Sequence, residues 1–514
     1  VSTETQTAAG TTKIYDLDAL ANVLDRERAA GKSVVQCHGV FDLLHVGHIR
    51  HFAEARAQGD VLVVTLTEDK HVNKGPNRPA FTETLRAEAI AALEAVDYVA
   101  ISRFPTAVNA IRALKPSLYV KGPDYKNAAD DVSGGIGLEE AAVRENGGRI
   151  YISDDMTFSS SALINRFMPS YSDDVHDYLA GFRSRHNAND IVERIETLRT
   201  LKTVVLGDTI LDEYVYCDQM GKSAKEPVLA MRYSSTEMFA GGSLAVANHV
   251  ANFCNSVELI TYLGDRDPRE DFVRTHLLPN VRTNFVYKSD SPTIVKRRYV
   301  ESYLQSKLFE VCVLNDELLN ASEDHLLCSL IDERVATADC AIVADFGHGL
   351  MTPNAIARLA ERAKFLAVNT QINAANIGFH TITKYPRADY ICVHEGEVRI
   401  DARSRRAPLH GLVEALAAKM GGSKVLVTQG KRGSTLFAGT REFVSPAFVG
   451  SVVDRIGSGD AVLAITSLCV AAKMEPEVVS FLSNVVGAMK VQIVGNRSAI
   501  DRTALLKFVQ TLLK

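Results

Sequence analysis

The chain has 514 residues, too many for a single hydrophobic core, so two or three domains are expected. Hydrophobic residues make up 46% and charged residues 23%, the balance of an ordinary globular protein, and no apolar run is long enough for a membrane helix. A formal net charge of -5 argues against a nucleic-acid-binding surface but leaves small anionic ligands open.

The eight cysteines are scattered, with no CxxC pair, as expected for reduced, buried thiols in a cytoplasmic protein. The opening VSTETQTAAGTTK is polar and small, unlike a secretion signal, and residues 1–30 are expected to form a poorly ordered lead-in. Between 31 and 166 the apolar runs VVQC, VLVVTL, YVAIS, SLYVKG and RIYIS suit buried parallel strands. The segments IRHFAEARAQG and ETLRAEAIAALEAV between them carry helical spacing, which predicts a doubly wound α/β sheet. A polar stretch over 167–197 is expected to be a linker. From 198 to 514 the alternation resumes with TVVLGDTILDEYVYCD, VELITYLG, CAIVADFG, KFLAVNT, DYICV and KVLVTQG. Two α/β domains result, 31–166 and 198–514.

QCHGVFDLLHVGHIRHF places glycine and histidine where the first long strand turns into a helix. Gly39 lets main chain approach a ligand closely, and His45 and His48 share one face at the start of the helix. A helix start offers free N–H groups to a phosphate, and two imidazoles there can donate to an oxygen that gains charge. Late in the chain, DRIGSGDAVLAI sets Gly457, Ser458 and Gly459 before an apolar helix as a cradle for a phosphoryl group. Asp460 is then placed to accept a hydroxyl proton. VTQGKRGS brings a Gly430–Gly433 loop after a strand, and EMFAGGSLAVANHVA sets Gly241 and Gly242 before a helix.

The pattern GxFDxxHxGH, with KGPNRPAFTETLR, VKGPDY and TFSSSALI, resembles the nucleotidylyltransferase superfamily of cytidylyl- and adenylyltransferases over about 33–166. That resemblance implies a Rossmann-like domain in which His45 and His48 stabilise the α-phosphate and Lys74 and Ser160 hold the triphosphate. Gly39, Phe41, Arg78 and Ser159 would complete the nucleotide site. Asp42 would lie near the acceptor phosphate or metal, with Arg86, Lys121 and Asp124 also on the substrate side. Mg²⁺ would arrive with ATP or another NTP. The motifs leave ATP against CTP open.

The set GG, TxGxxG and GxGD resembles the ribokinase-like (PfkB) carbohydrate kinases over about 200–512. GDTILDEYVYCD, EPV and DFGHGLMTP bring it nearest to the kinase half of the bifunctional heptose-phosphate kinase/adenylyltransferases, with the two halves in reversed order. The resemblance implies nucleotide contacts at Thr428, Gly430, Gly433, Gly457, Ser458 and Gly459, and sugar contacts at Asp212, Gly241 and Gly242. It also implies an indirect metal role for Glu397 and a small β lid, 209–235 with 292–312, that forms a homodimer.

Several motif positions depart from that family. Ala245 stands for an asparagine, His394 for the first residue of NxxE, and Arg455 and Ile456 for two threonines; Asn369 and Gln371 replace DPK residues, and His348 replaces a lysine. The expected function is a bifunctional sugar kinase and sugar 1-phosphate nucleotidylyltransferase making an NDP-sugar such as ADP-heptose. The alternative keeps only nucleotidylyl transfer and leaves the second domain for binding or dimerisation. A purely ligand-sensing chain is disfavoured by the retained His45, His48, Lys74 and Asp460. The expected partners are a sugar phosphate and an NTP, with no nucleic acid and no membrane.

Overall fold

The computed structural model describes residues 13–76, 78–122, 135–153, 171–374 and 376–514. The chain forms two compact units, Val1–Ser172 with Leu506–Lys514, and Asp173–Leu505.

In the first unit, β1 (Ile14–Tyr15), β2 (Val34–Gly39), β3 (Val61–Thr67), β4 (Tyr98–Ser102), β5 (Leu118–Lys121) and β6 (Arg149–Ile152) build one sheet in the order β1-β4-β3-β2-β5-β6. Every pairing is parallel. β3 is buried along its whole length, which is why VLVVTLT reads as an unbroken apolar run. Strand order reverses between β2 and β5, and a crevice at their carboxyl ends is where such sheets take ligands.

The lead-in expected over 1–30 is not borne out from residue 13 onward. β1 pairs with β4, and Asp16 caps the helix Leu17–Ala29, whose Leu17, Leu20 and Leu24 are buried at helical spacing. A two-residue strand is too short to leave a periodic signal. Residues 1–12 lie outside the described residues.

In the second unit the strands are β7 (Thr203–Gly207), β8 (Thr209–Lys222), β9 (Leu229–Gly242), β10 (Val257–Gly264), β11 (Val281–Lys288), β12 (Ile294–Glu301) and β13 (Lys307–Val313). Then follow β14 (Cys340–Asp345), β15 (Leu366–Thr370), β16 (Tyr390–His394), β17 (Lys424–Thr428), β18 (Ser434–Ala438) and β19 (Arg441–Ser445). Nine of them form a sheet ordered β11-β10-β7-β14-β15-β16-β17-β18-β19. It is parallel through β17, and the last two strands are antiparallel. A separate sheet, β13-β12-β8-β9, contains the expected lid segments.

The expected linker is folded as well. The helices Asp173–Arg183 and Ala188–Thr197 bury Val175, Leu179, Phe182, Ile191, Val192 and Ile195. Phe182 stacks on Phe481 with ring centroids 4.4 Å apart, and His186 donates from Nε2 to the Glu477 carboxylate at 2.9 Å. The stretch looks polar because only one face of each helix is apolar. Residues 506–514 also depart from expectation by grouping with the first unit; their apolar spacing gives no sign of which core they join. Phe182→Ala should lower the stability of the second unit by about 3–5 kcal/mol, seen as a drop in the denaturant midpoint of its unfolding transition.

Candidate active sites

β2 delivers the chain to Gly39, where a Cβ would stand 3.0 Å from the Phe41 ring. Without it, Phe41 folds back in a left-handed conformation, φ 48°, and packs edge-on against His48 at 5.2 Å and Phe52 at 5.0 Å. His45 caps the helix Val46–Arg56: its Nδ1 accepts the Gly47 N–H at 3.1 Å, so the neutral ring carries its proton on Nε2. The His45 and His48 rings stack at 3.9 Å. Burial pushes His48 down to about 3, helped by the neighbouring His45, and burial also lowers His45. Both rings are therefore neutral donors near pH 7.

His38 plays another part. It lies on β2, bonds Thr65 at 2.9 Å and Thr67 at 3.3 Å, and burial lowers it to about 3, which makes it a satisfied core residue. Lys74 is half-buried, and burial lowers its ammonium to about 8 against the pull of Asp42.

Three residues expected on the substrate side are engaged by the fold instead. Asp42 is buried; Oδ1 accepts the Ala80 and Phe81 N–H groups at 2.6 and 3.2 Å, and Oδ2 accepts from Arg78 at 3.2 Å. The aspartate and Arg78 thus fix the loop that follows Lys74. Arg86, also buried, donates to the carbonyls of Val40, Phe81 and Thr67 and pairs with Asp69 at 2.5 Å. A buried guanidinium needs such partners, and these consume its planar fork. Lys121 pairs with Glu139 at 2.7 Å. Asp124, Ser159 and Ser160 lie outside the described residues.

In the second unit a cavity of about 340 Å³ opens at the carboxyl ends of β14 to β17. It brings together Asp212, Gly242, Glu397, Thr428, the Gly457–Gly459 turn and Asp460. Gly241 instead pairs with Ile210 within the lid sheet, and Gly430 and Gly433 make the turn from β17 to β18. Burial pushes Asp460 up to about 7, reinforced by the charge of Asp212. Burial likewise raises Glu397 to about 7, although its carboxylate accepts the N–H groups of His394 at 2.7 Å and Ile372 at 3.2 Å. Asp212 accepts from Arg298 at 2.5 Å and from Asn496 at 3.0 Å.

Sequence reading missed Lys296, Arg298 and Asn496 in this cavity, and Lys490 beneath it. They come from β12, from the loop after the helix Pro476–Lys490, and from that helix's last residue. Only the position of Lys490 at the end of an otherwise apolar helix could have drawn notice.

A family model for pfkB family carbohydrate kinases matches residues 200–502, and one for cytidylyltransferase-like proteins matches 37–166. The N-terminal, cytidylyltransferase-like region is also similar to two proteins named bifunctional protein HldE. Identity is 41% over 162 residues with that of Citrifermentans bemidjiense and 38% over 168 with that of Geobacter metallireducens. These alignments cover 31% and 32% of this chain, and only 32% of each relative, so the chain spans about a third of the curated relatives it matches. Among solved structures, Escherichia coli phosphofructokinase-2 in complex with potassium aligns over 61% of this chain and 99% of its own, with a TM-score of 0.50 and 15% identity. That likeness is one of fold.

His48 should remain neutral in the nucleotide-free protein well below the range near 6.5 where an exposed imidazole titrates. Nitrogen chemical shifts followed from pH 8 to about pH 4 check this, and a midpoint near 6.5 would place the ring in water.

Proposed function

We propose that this chain, which belongs to the pfkB family of carbohydrate kinases through residues 200–502, is a bifunctional enzyme that phosphorylates a sugar phosphate and activates a sugar 1-phosphate with an NTP. The product is an NDP-sugar of the ADP-heptose type. The observation that carries this reading is that each unit has its own anion-receiving helix start beside its own reactive side chains: His45 and His48 in one, Asp460 in the other.

In the transferase, an oxygen of the sugar phosphate attacks the α-phosphorus in line. The new P–O bond forms as the α–β bridge breaks, and pyrophosphate carries away the electron pair. The His45 Nε2–H and the His48 ring donate to the α-phosphate oxygens as charge builds there. Lys74 holds the departing phosphates, on a loop fixed by Asp42 and Arg78. In the kinase, Asp460 takes the hydroxyl proton, the sugar oxygen bonds the γ-phosphorus, and ADP leaves. The Gly457–Gly459 amides receive the transferring group.

Magnesium supplies charge neutralisation of the nucleotide phosphates when bound. The kinase cavity fits an ion that arrives with the nucleotide and keeps its water: Glu397 faces the cavity, yet its oxygens already accept two main-chain N–H groups. A homodimer through the lid sheet fits the exposed Tyr233, Phe309 and Val311. Among the described residues, no helix is long and apolar enough to cross a membrane.

A second reading, in which the kinase-like unit only binds ligand, is favoured by Ala245 and by His348, which pairs with Asp316 at 2.7 Å where the family motif has a lysine. Activity decides between them. Asp460→Asn should cut sugar-dependent ADP formation by about 10²–10⁴-fold and leave pyrophosphate release unchanged, whereas His48→Ala should cut pyrophosphate release by about 10²–10³-fold and leave ADP formation unchanged. A wild-type chain that makes no ADP across a broad panel of sugars and sugar phosphates would favour the second reading.

The rate of ADP formation should rise with pH through about 7, because Asp460 accepts the proton only when ionised. The same raised carboxyl makes a stability statement. Its folded form holds a proton that the unfolded chain releases near 3.8, so its contribution weakens as pH rises from about 4 to about 7. Asp460→Asn should therefore melt higher than wild type at pH 8, read by calorimetry.

A further inference from the structure

The helix Pro476–Lys490 ends in a lysine with no exposed surface. A buried ammonium is costly unless its N–H bonds find acceptors. Lys490 Nζ donates to the carbonyl of Ile456 at 2.9 Å and to that of Gly495 at 2.6 Å. The same two residues give their N–H groups to Asp454, Ile456 at 3.1 Å and Gly495 at 2.9 Å. Two separate loops are thus gripped at both ends of one residue each, by a carboxylate on the N–H and an ammonium on the carbonyl.

Those loops wall the kinase cavity. Ile456 opens the Gly457–Gly459 turn, and Asn496, next to Gly495, donates to Asp212 at 3.0 Å. Gly457 has φ 75°, and a Cβ on it would stand 2.3 Å from Asn496 Oδ1 and 3.3 Å from Lys490 Cε. The turn rests directly on this brace. In a trans peptide the carbonyl and N–H point opposite ways, so holding the Ile456 oxygen on Lys490 aims the Gly457 N–H away from the ammonium.

We propose that Lys490 is the tethered cation of the kinase cavity, a positioning residue that sets the Gly457–Gly459 amides through the Ile456 carbonyl and places fixed positive charge beneath the transferring phosphoryl group. Its effect on rate rests on the kinase reading above; its role as a cation held by carbonyls does not. Asp454, Asp460 and Asp212 are the acids around it, and the nearby Lys307 is bonded to Asp454 at 2.5 Å. Because the cation is covalently attached, the cavity needs no dissociable monovalent ion.

The test uses the full chain with Lys490→Ala and the neutral, similarly sized Lys490→Met. Lys490→Ala should lower the melting temperature of the second unit by about 5–10 °C. Ammonium or methylammonium chloride should recover at least half of that loss, and tetramethylammonium chloride, too large for the vacated space, none. Lys490→Met should respond to neither. Sugar-dependent ADP formation should fall about 10²-fold in both variants, with ammonium restoring only Lys490→Ala. The acid limb of its pH profile should move upward, since a cation that favours ionised Asp460 is gone. Wild type should turn over equally in potassium and tetramethylammonium salts. The proposal is overturned if wild type needs a small monovalent cation, or if the loss in Lys490→Ala is indifferent to every ammonium ion. A wild type that makes no ADP would instead defeat the kinase reading, while the melting data would still decide the place of Lys490.

Discussion

A buried carboxylate that takes main-chain N–H groups from a distant loop is the interaction on which both units are built. Removing a carboxylate from water is unfavourable unless donors replace the lost hydration, and main-chain N–H groups are donors that a loop offers only in one conformation. Asp42, three residues past β2, holds Ala80 and Phe81. Asp208, one residue past β7, holds Phe346 at 3.1 Å, His348 at 3.2 Å and Leu350 at 3.3 Å. Burial and the neighbouring Asp345 push the Asp208 carboxyl upward, and the N–H groups of His348 and Leu350 oppose them. In each unit an acid beside the first long parallel strand thereby fixes a loop beside the proposed phosphate site.

That reach across the chain explains what could be read in advance. Strands such as VLVVTL and CAIVAD were legible because burial on both faces leaves an unbroken apolar run. β1 was not, since two residues carry no period, and the helix Asp173–Arg183 looked like a linker because its solvent face dominates the composition. The Gly457–Asp460 turn and the His45–His48 pair were legible as local patterns, with all their members within a few residues. Asp42 and Arg86 also sit in local patterns, but what they bond is decided by long-range packing, and no spacing reveals it. Asn496 and Arg298 reach the cavity of the second unit, and Lys490 the space beneath it, from elements tens to hundreds of residues away from Asp212, and only the fold brings them together.

Several of the departures from the kinase family's motifs are accommodated by local contacts. Asn369 donates to the Cys392 carbonyl at 2.6 Å, and the His394 Nδ1 accepts the Gly396 N–H at 3.1 Å, capping the helix Glu395–Asp401. Ile456 packs beside Tyr214, Phe239 and Val300, where a threonine hydroxyl would lack the apolar fit. Ala245 is buried in the helix Ser243–Ala251. A decaying site would leave buried polar atoms stranded; these replacements mostly do the opposite, and they keep the turn and its brace in place.

The charge of the cavity has shifted with them. Asp212 is matched by Arg298, which also pairs with Glu310 at 2.7 Å, so most of that guanidinium's charge is spent within its own cluster of one cation and two acids. Lys296 and Arg455 line the same cavity, and neither forms an ion pair among the described residues. With Lys490 fixed below, these cations face a space whose remaining acids, Asp460 and Glu397, are both raised to about 7 by burial and so carry only part of a charge near neutral pH. A cavity arranged in this way favours ligands that bring negative charge at more than one point. In the proposed kinase reaction the nucleotide's γ-phosphate would meet part of that demand at the Gly457–Gly459 turn. In the same proposed reaction an acceptor that already carries a phosphate would meet the rest, and a neutral sugar would leave Lys296 or Arg455 facing the ligand without a partner.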